Sequence, residues 1–473
     1  MAAPERVAAY LRTKLRALTD GEAIPSVRAL VAELSVSPLT VQKAFAILRR
    51  EGLVEPLAGR GTFRVAPSPA APAVTPTDFA WQALPLGARP PMEESFTRLV
   101  AGAPPGAASL VGGYPDETLQ PQALLARAAA HVARRGTGFR RQPTAGNADL
   151  AAWFAAELTR GFGAPRSSSD ILVTSGGQAA LTTVFRALAI PGAPALVDSP
   201  TYVGALAALR AAGMRPIPVP TDREGVLPDA LAAAFARTNA SVYYAQPTFA
   251  NPTGASLSFE RRRAVLEVAA RARAFVVEDD YARDLALEGQ APAPLVAIDP
   301  AHVIHVRSLT KVVAPGLRVA AVSAHGPVRA RLLSALAVSE PFVSGLLQEI
   351  ALELVTSPGW QKHLARLTDT LRARRDLCLS HLARWKVKVH VEPPLGGYTL
   401  WVRLPDSISP DRVARLAARA DVAVMSGASW FAAEALASFL RVSFFGAPID
   451  VLGPAMATLG RAVERAARPT NSR

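Results

Sequence analysis

The sequence predicts two fold classes in one chain of 473 residues: a small, mainly α-helical module over residues 1–66 and a large α/β body over residues 92–473. Three observations predict this. Near the start, three runs of apolar residues recur with a helical period and are followed by two short strand-like runs. Farther on, uninterrupted apolar runs end in polar residues and glycines, the pattern of strands buried on both faces of a parallel sheet. Between them, residues 67–91 shift to Ala, Pro and Thr, with APSPAAPAVTPT leading in. Proline-rich chain of this kind is extended and semi-rigid, so the stretch reads as a tether.

Composition narrows the function classes. Half of the residues are hydrophobic, enough for large cores in two or three domains. The single cysteine, Cys378, excludes an internal disulfide framework and a cysteine metal cage, and the seven histidines show no metal-ligand spacing, so no metal is expected. No apolar run reaches the ~18 residues of a membrane span, and the first residues lack a signal-like apolar core, so the expectation is a soluble, cytoplasmic protein. A formal charge of +14 favours a polyanionic partner.

In the small module, Val7, Tyr10, Leu11, Leu15 and Leu18 place a first helix over Glu5 to Ala17. Ser26 is suited to cap a second helix with Val27, Leu30, Val31 and Leu34 as its buried stripe. Ser37 is suited to cap a third, with Pro38 at the first position, where the missing N–H costs least. Val41, Phe45 and Leu48 then face inward and Leu39, Thr40, Gln42 and Lys43 outward, a face that a DNA major groove accepts. Gly52 to Glu55 and Thr62 to Val65 read as two strands with Gly59, Arg60 and Gly61 as the tip, a basic wing for a minor groove or a phosphate backbone.

The body is organised around HVRSLTKVVAPGLRVA, His305 to Ala320. Lys311 stands there with Ser308, Thr310 and Arg318 nearby. A lysine that becomes a neutral amine can form a Schiff base, while Ser, Thr and Arg are good donors to phosphate oxygens. That combination describes a seat for pyridoxal 5'-phosphate. Upstream, FANPTG puts Asn251 on a loop after the apolar run Ser241 to Gln246, and AFVVE, Ala274 to Glu278, reads as a buried strand delivering Asp279, Asp280 and Tyr281 at its carboxyl end. Ligands bind at such strand ends in open α/β folds. A carboxylate under a pyridine ring keeps its nitrogen protonated, the role expected of Asp279, with Asn251 and Tyr281 reaching the ring's 3'-oxygen.

From about Leu110 to Ala466 these segments resemble fold-type I, aspartate-aminotransferase-like pyridoxal phosphate proteins, with a large and a small domain. The resemblance implies that Gly176, Gly177 and Gln178, in VTSGGQ, form a phosphate cup, that Tyr202 in DSPTYVG stacks on the ring, and that Arg441 in LRVSFF holds the α-carboxylate of an amino acid. Two departures stand out. Arg140, Arg141 and Gln142 precede PTAG where many relatives carry Tyr, so Arg141 either replaces an inter-subunit phosphate contact or leaves it lost. The carboxylate motif is Glu278-Asp279-Asp280-Tyr281, without the proline common in free-standing aminotransferases.

The small module resembles the GntR-type winged helix-turn-helix on the strength of IPSVRAL, LSVSPLTVQKAFAILRREGLV and GRGTF. By that resemblance Arg28, Thr40, Lys43, Arg60 and Gly61 contact DNA; Pro38 and Gln42 stand where arginines are frequent, and Gln42 is suited to an adenine edge. A GntR-like head tethered to an aminotransferase-like body is the architecture of MocR-type regulators. It implies a homodimeric, pyridoxal phosphate-dependent transcription regulator on an operator with repeated half-sites, with the cofactor on Lys311, or an amino acid reacting with it, as the signal. The alternative is a working aminotransferase that retains a DNA-binding head; a body that serves only as a dimerisation scaffold is the third reading.

Overall fold

A computed structural model describes residues 3–15, 17–57, 60–65, 94–163, 166–435 and 437–468; the tether expected over 67–91 and the wing residue Gly59 lie outside the described residues. The chain divides into two units, residues 1–90 and 91–473, each described here by itself. Among the described residues no single helix is long and apolar enough to cross a membrane.

The first unit is built from α1 (Ala3–Leu15), α2 (Val27–Leu34), α3 (Pro38–Arg50), β1 (Val54–Leu57) and β2 (Gly61–Arg64). Ser26 and Ser37 cap α2 and α3 through hydrogen bonds from Ala29 N and Thr40 N, and Pro38 is the first residue of α3. Ser35 turns the chain between these helices in the left-handed region. Val7, Ala8, Leu11 and Leu15 of α1 meet Leu30 of α2 and Val41, Ala44 and Leu48 of α3 in one core. Ala44 joins Val41 and Leu48 on the inward face of α3, and Phe45, half-buried, packs against the same core, as do the half-buried Val27, Val31 and Leu34 beside Leu30. The helix and strands also shift from their expected bounds. Leu18 lies beyond α1 but still packs on the core. Gly52, at φ +70°, extends the turn after α3, so β1 begins at Val54. The wing has a third segment that no strand pattern announces: Ile24 N bonds Thr62 O and Arg64 N bonds Glu22 O, adding residues 22–24 to its edge.

The second unit holds an eight-stranded sheet made of β4 (Ile171–Thr174), β5 (Pro194–Ser199), β6 (Arg215–Asp222), β7 (Gly225–Val226), β8 (Val242–Ala245), β9 (Phe275–Asp279), β10 (Val303–Ser308) and β11 (Ala320–Ser323) in the order β4-β11-β10-β9-β8-β5-β6-β7. The strands β10, β9, β8, β5 and β6 run parallel, and β11 is antiparallel to both β10 and β4. The strands β4 and β8 are buried at every position, as all-apolar runs between helix layers must be. A second sheet of β12 (Thr399–Arg403), β14 (Met425–Ser426) and β15 (Phe439–Ser443), ordered β12-β15-β14, packs on the helix Pro410–Ala418, which in turn packs on the helix Ile449–Ala467. The remaining strands, β3 (Ala108–Ser109) and β13 (Val422–Ala423), pair in parallel. Strands β4, β5, β8, β9 and β10 all end on one edge of the large sheet, where a ligand is expected.

Candidate functional site

That edge carries the predicted residues. Strand β9 is one residue later than expected, so Asp279 is its last residue. The buried Asp279 accepts hydrogen bonds from Tyr244 Oη and Gln246 Nε2, both 2.8 Å and both on Oδ2. Burial pushes its pKa up to about 6, against the pull of those two donors. Asp280, on the next residue, faces a different network: although buried, it is held below the usual carboxylate range by Arg283 and His305. The two adjacent aspartates thus separate into one aimed at the site and one locked into the sheet.

Lys311 follows β10. Its Nζ donates to Gly113 O at 2.6 Å and lies 4.1 Å from the centre of the Tyr114 ring. Part of the side chain is accessible, but the amine is enclosed. Desolvation and the cations Arg441 and Arg318 lower its pKa to about 7, although Asp279 opposes them. Gly113 lies in contact with this amine: a Cβ built there would stand 3.8 Å from Lys311 Nζ. From below, His363 Nε2 donates to Val312 O at 2.6 Å and fixes the loop.

A cradle lies between the ends of β4 and β10. Gly176, at φ +94°, caps the helix Gly177–Leu188 without a side chain, leaving the first N–H groups of that helix open. A Cβ on Gly176 would meet Arg318 Cζ at 2.9 Å, so glycine is what lets the guanidinium lie against the turn; Arg318 Nη2 donates to Ser175 O at 2.8 Å. Ser308 Oγ stands 3.8 Å from a Cβ built on Gly177 and accepts from Thr310 N. Thr310 Oγ1 is buried with no hydrogen-bond partner among the described residues. Ser175 N already donates to a carboxylate, that of Glu340, at 3.1 Å, so this strand end takes an anion. Gln178 turns its side chain elsewhere, accepting from Tyr202 Oη at 3.2 Å and donating to Gly204 O at 2.8 Å.

Arg441, on β15, is fully buried. Its Nε donates to Asn251 Oδ1 at 2.9 Å and its Nη1 to Val111 O at 2.8 Å, while Nη2 is buried without a hydrogen-bond partner among the described residues. The guanidinium lies 5.3 Å from the Trp430 ring centre and 5.9 Å from that of Tyr398. Asn251 N in turn donates to Gln246 Oε1, which ties this loop to Asp279. Tyr281 Oη donates to Phe249 O at 2.7 Å, beside the Tyr398 ring. The sequence reading missed Tyr244, Gln246, Gly113, Tyr114, Tyr398, Trp430 and His363. Of these, Gln246 was visible as the polar residue ending an apolar strand run.

The arrangement has an amine with its pKa lowered to about 7, a buried carboxylate whose two donors share one oxygen, a glycine turn with a threonine hydroxyl that has no partner among the described residues and an arginine, and a second buried arginine with one unused nitrogen. Those donors fit the aldehyde, ring nitrogen and phosphate of pyridoxal 5'-phosphate, and the last fits a carboxylate. Among the described residues no group of His, Cys, Asp or Glu is arranged for a metal, and Cys378 is buried with its thiol pushed up to about 12 by desolvation.

In the first unit, Arg28, Gln42, Lys43, Arg60 and Gly61 are exposed. Thr40 is half-buried at the start of α3, its hydroxyl 2.8 Å from Ser37 Oγ. In the body, Arg141 lies over the Phe342 ring at 4.8 Å, two residues after the exposed Phe139.

Comparison with known proteins agrees with both units. Residues 111–451 match the aminotransferase class I and II family and residues 3–63 the gntR family of bacterial regulatory proteins. The HTH-type transcriptional regulator YdfD of Bacillus subtilis, itself uncharacterized, is 28% identical over 94% of this chain and 93% of its own. The 2-aminoadipate transaminase of Thermus thermophilus is 32% identical over 76% of this chain and 91% of its own. The crystal structure of LysN, an α-aminoadipate aminotransferase from Thermus thermophilus complexed with N-(5'-phosphopyridoxyl)-L-leucine, superposes with a TM-score of 0.73 at 29% identity, over 78% of this chain and 95% of that one.

Proposed function

The chain belongs to the aminotransferase class I and II family and carries a gntR-family helix-turn-helix domain before it, and from that premise we propose a homodimeric transcription regulator whose operator binding responds to pyridoxal phosphate, or to an amino acid reacting with it. The observation that carries this reading is the coexistence of a complete cofactor donor set in the body with an exposed, basic α3 and wing in the head. When bound, pyridoxal phosphate supplies an aldehyde and a ring that withdraws electrons from it. In this reading Lys311 is the amine that holds the aldehyde carbon and, with its pKa near 7, takes and returns protons at neutral pH. Asp279 keeps a proton on the ring nitrogen. The turn at Gly176 and the N–H of Gly177, with Ser308, Thr310 and Arg318, hold the phosphate, and Gln178 braces Tyr202 against the ring face. Asn251 and Tyr281 serve the 3'-oxygen once Tyr281 gives up Phe249 O. Arg441 offers Nη2 to the carboxylate of an incoming amino acid.

In the head, Gln42 reads a base edge, while Arg28, Thr40, Lys43 and Arg60, with the backbone of Gly61, meet phosphates. Two heads in a dimer require a repeated half-site. A ligand that binds one conformational state better than another changes operator affinity by the same coupling energy.

A second reading, turnover of an amino acid, is favoured by the unused Nη2 of Arg441 beside the near-neutral Lys311. One experiment separates them: titration of the chain's own upstream DNA with cofactor-free, cofactor-loaded and Lys311→Ala protein at fixed salt. The regulator reading expects loading to change affinity and Lys311→Ala to abolish the change. Specific binding that ignores the cofactor, together with multiple turnovers of an amino acid and a keto acid, would make the body an enzyme.

A further inference from the structure

A second cavity of about 740 Å³, within the range that holds a small molecule, lies between the small sheet and the β6 side of the large one. None of its lining residues is a cofactor-site residue named above. Its position follows from strand register. Trp401 pairs with Arg441 and Arg403 with Phe439 in the β12–β15 ladder. Directly paired residues share a face, and side chains alternate along each strand, so Thr399, Trp401, Arg403, Phe439, Arg441 and Ser443 share one face. Arg441 serves the cofactor site from that face; its cross-strand partner Trp401 and, two residues along, Phe439 and Arg403 line the groove.

The groove has the chemistry of a binding site. The Trp401 and Phe439 rings are stacked 4.7 Å apart at 12°, and Phe431 tilts against both at 6.2 and 6.1 Å, an apolar wall that a flat ring can extend. The carboxylates around the groove are engaged: Asp222 and Glu224 pair with Arg261, and Glu392 with His390. Arg403 is paired more loosely, 4.0 Å from Asp406, with both side chains more than half exposed. A planar guanidinium at the end of an aromatic wall suits a carboxylate.

We propose that this groove is a second ligand site, separate from the cofactor site, for an aromatic carboxylate whose ring lies on Trp401 and Phe439 and whose carboxylate meets Arg403. Its walls adjoin the cofactor loops. Thr253 and Gly254 follow Asn251, which accepts from Arg441, and Pro200 is two residues before Tyr202. An occupant therefore bears on the same segments from the other side, whether or not DNA binding responds to the cofactor.

The test is calorimetric titration of the full chain, loaded with pyridoxal phosphate, with indole-3-acetate and with uncharged indole. The expected result is saturable binding of both probes at one site per chain. Arg403→Gln weakens indole-3-acetate at least tenfold and leaves indole unchanged, Trp401→Leu removes both, and Lys311→Ala retains both. The visible absorbance of the bound cofactor, unchanged in Arg403→Gln, certifies the fold of that exposed variant if Trp401→Leu fails to fold. Absence of saturable binding overturns the proposal. So does binding that survives Arg403→Gln unchanged but is lost in Lys311→Ala, which would put the probe in the cofactor site.

Discussion

The two units present their functional groups in opposite ways. In the body, Asp279, Asn251, Thr310 and Arg441 are buried, and Asp279, Asn251 and Arg441 are held by residues from distant parts of the chain. In the head, Arg28, Gln42, Lys43 and Arg60 stand in solvent. The difference follows from what each must bind. An aldehyde cofactor needs an amine and a carboxylate whose proton affinities are shifted, and burial among charges is what shifts them. A nucleic acid is bound through counterion release, which asks for solvated cations on a rigid helix and needs no pKa shift. The body should therefore report its mutations in affinity for the cofactor and in pH dependence, the head in salt dependence.

The largest effect that sharpens this contrast is expected at the cradle. Arg318→Gln removes a charge-assisted donor to phosphate, a loss of roughly 1.5–3 kcal/mol, so equilibrium titration of pyridoxal phosphate should show affinity lowered about 10- to 100-fold. The DNA affinity of the cofactor-free protein should not move; if it falls, the two units are not separable in this way. A middle-sized effect comes from pH. Covalent capture of the aldehyde needs the neutral form of Lys311, whose pKa is lowered to about 7. A lowered lysine pKa means that the amine loses its proton as pH rises through that value, so the capture rate followed by absorbance should rise about tenfold from pH 6 to pH 8. An ordinary lysine would instead rise about a hundredfold over the same range and keep rising to about pH 10, so levelling above pH 7 is what marks the lowered value. The smallest effect is in the head. Lys43→Ala should reduce the slope of log affinity against log salt by about 0.9, the share of one phosphate contact, with cofactor absorbance unchanged.

Legibility in the sequence divides along the same line. The cradle and the amine could be read because their residues sit in short contiguous motifs at strand ends, such as Ser308-Leu309-Thr310-Lys311 and Ser175-Gly176-Gly177. The second halves of these contacts could not be read. Gly113 lies 198 residues from Lys311, and Val111 lies 330 from Arg441. Only the fold brings them together, and neither contributes a side chain that announces chemistry. Asp279 and Asp280 are alike in the sequence; the strand's alternation sends one to Tyr244 and Gln246 and the other to Arg283 and His305. In the head the helices were legible from their serine caps and Pro38, whereas the wing's third segment, residues 22–24, has no strand pattern and exists through backbone pairing with β2.

The central claim is that the buried site and the exposed face are thermodynamically linked, and linkage is reciprocal. The measurement that tests it most directly is the affinity of the full chain for pyridoxal phosphate with and without a saturating fragment of its own upstream DNA, at the salt used for the DNA titration. The account predicts that DNA changes cofactor affinity by the same factor by which the cofactor changes DNA affinity. A cofactor affinity that is identical with and without specifically bound DNA would contradict it.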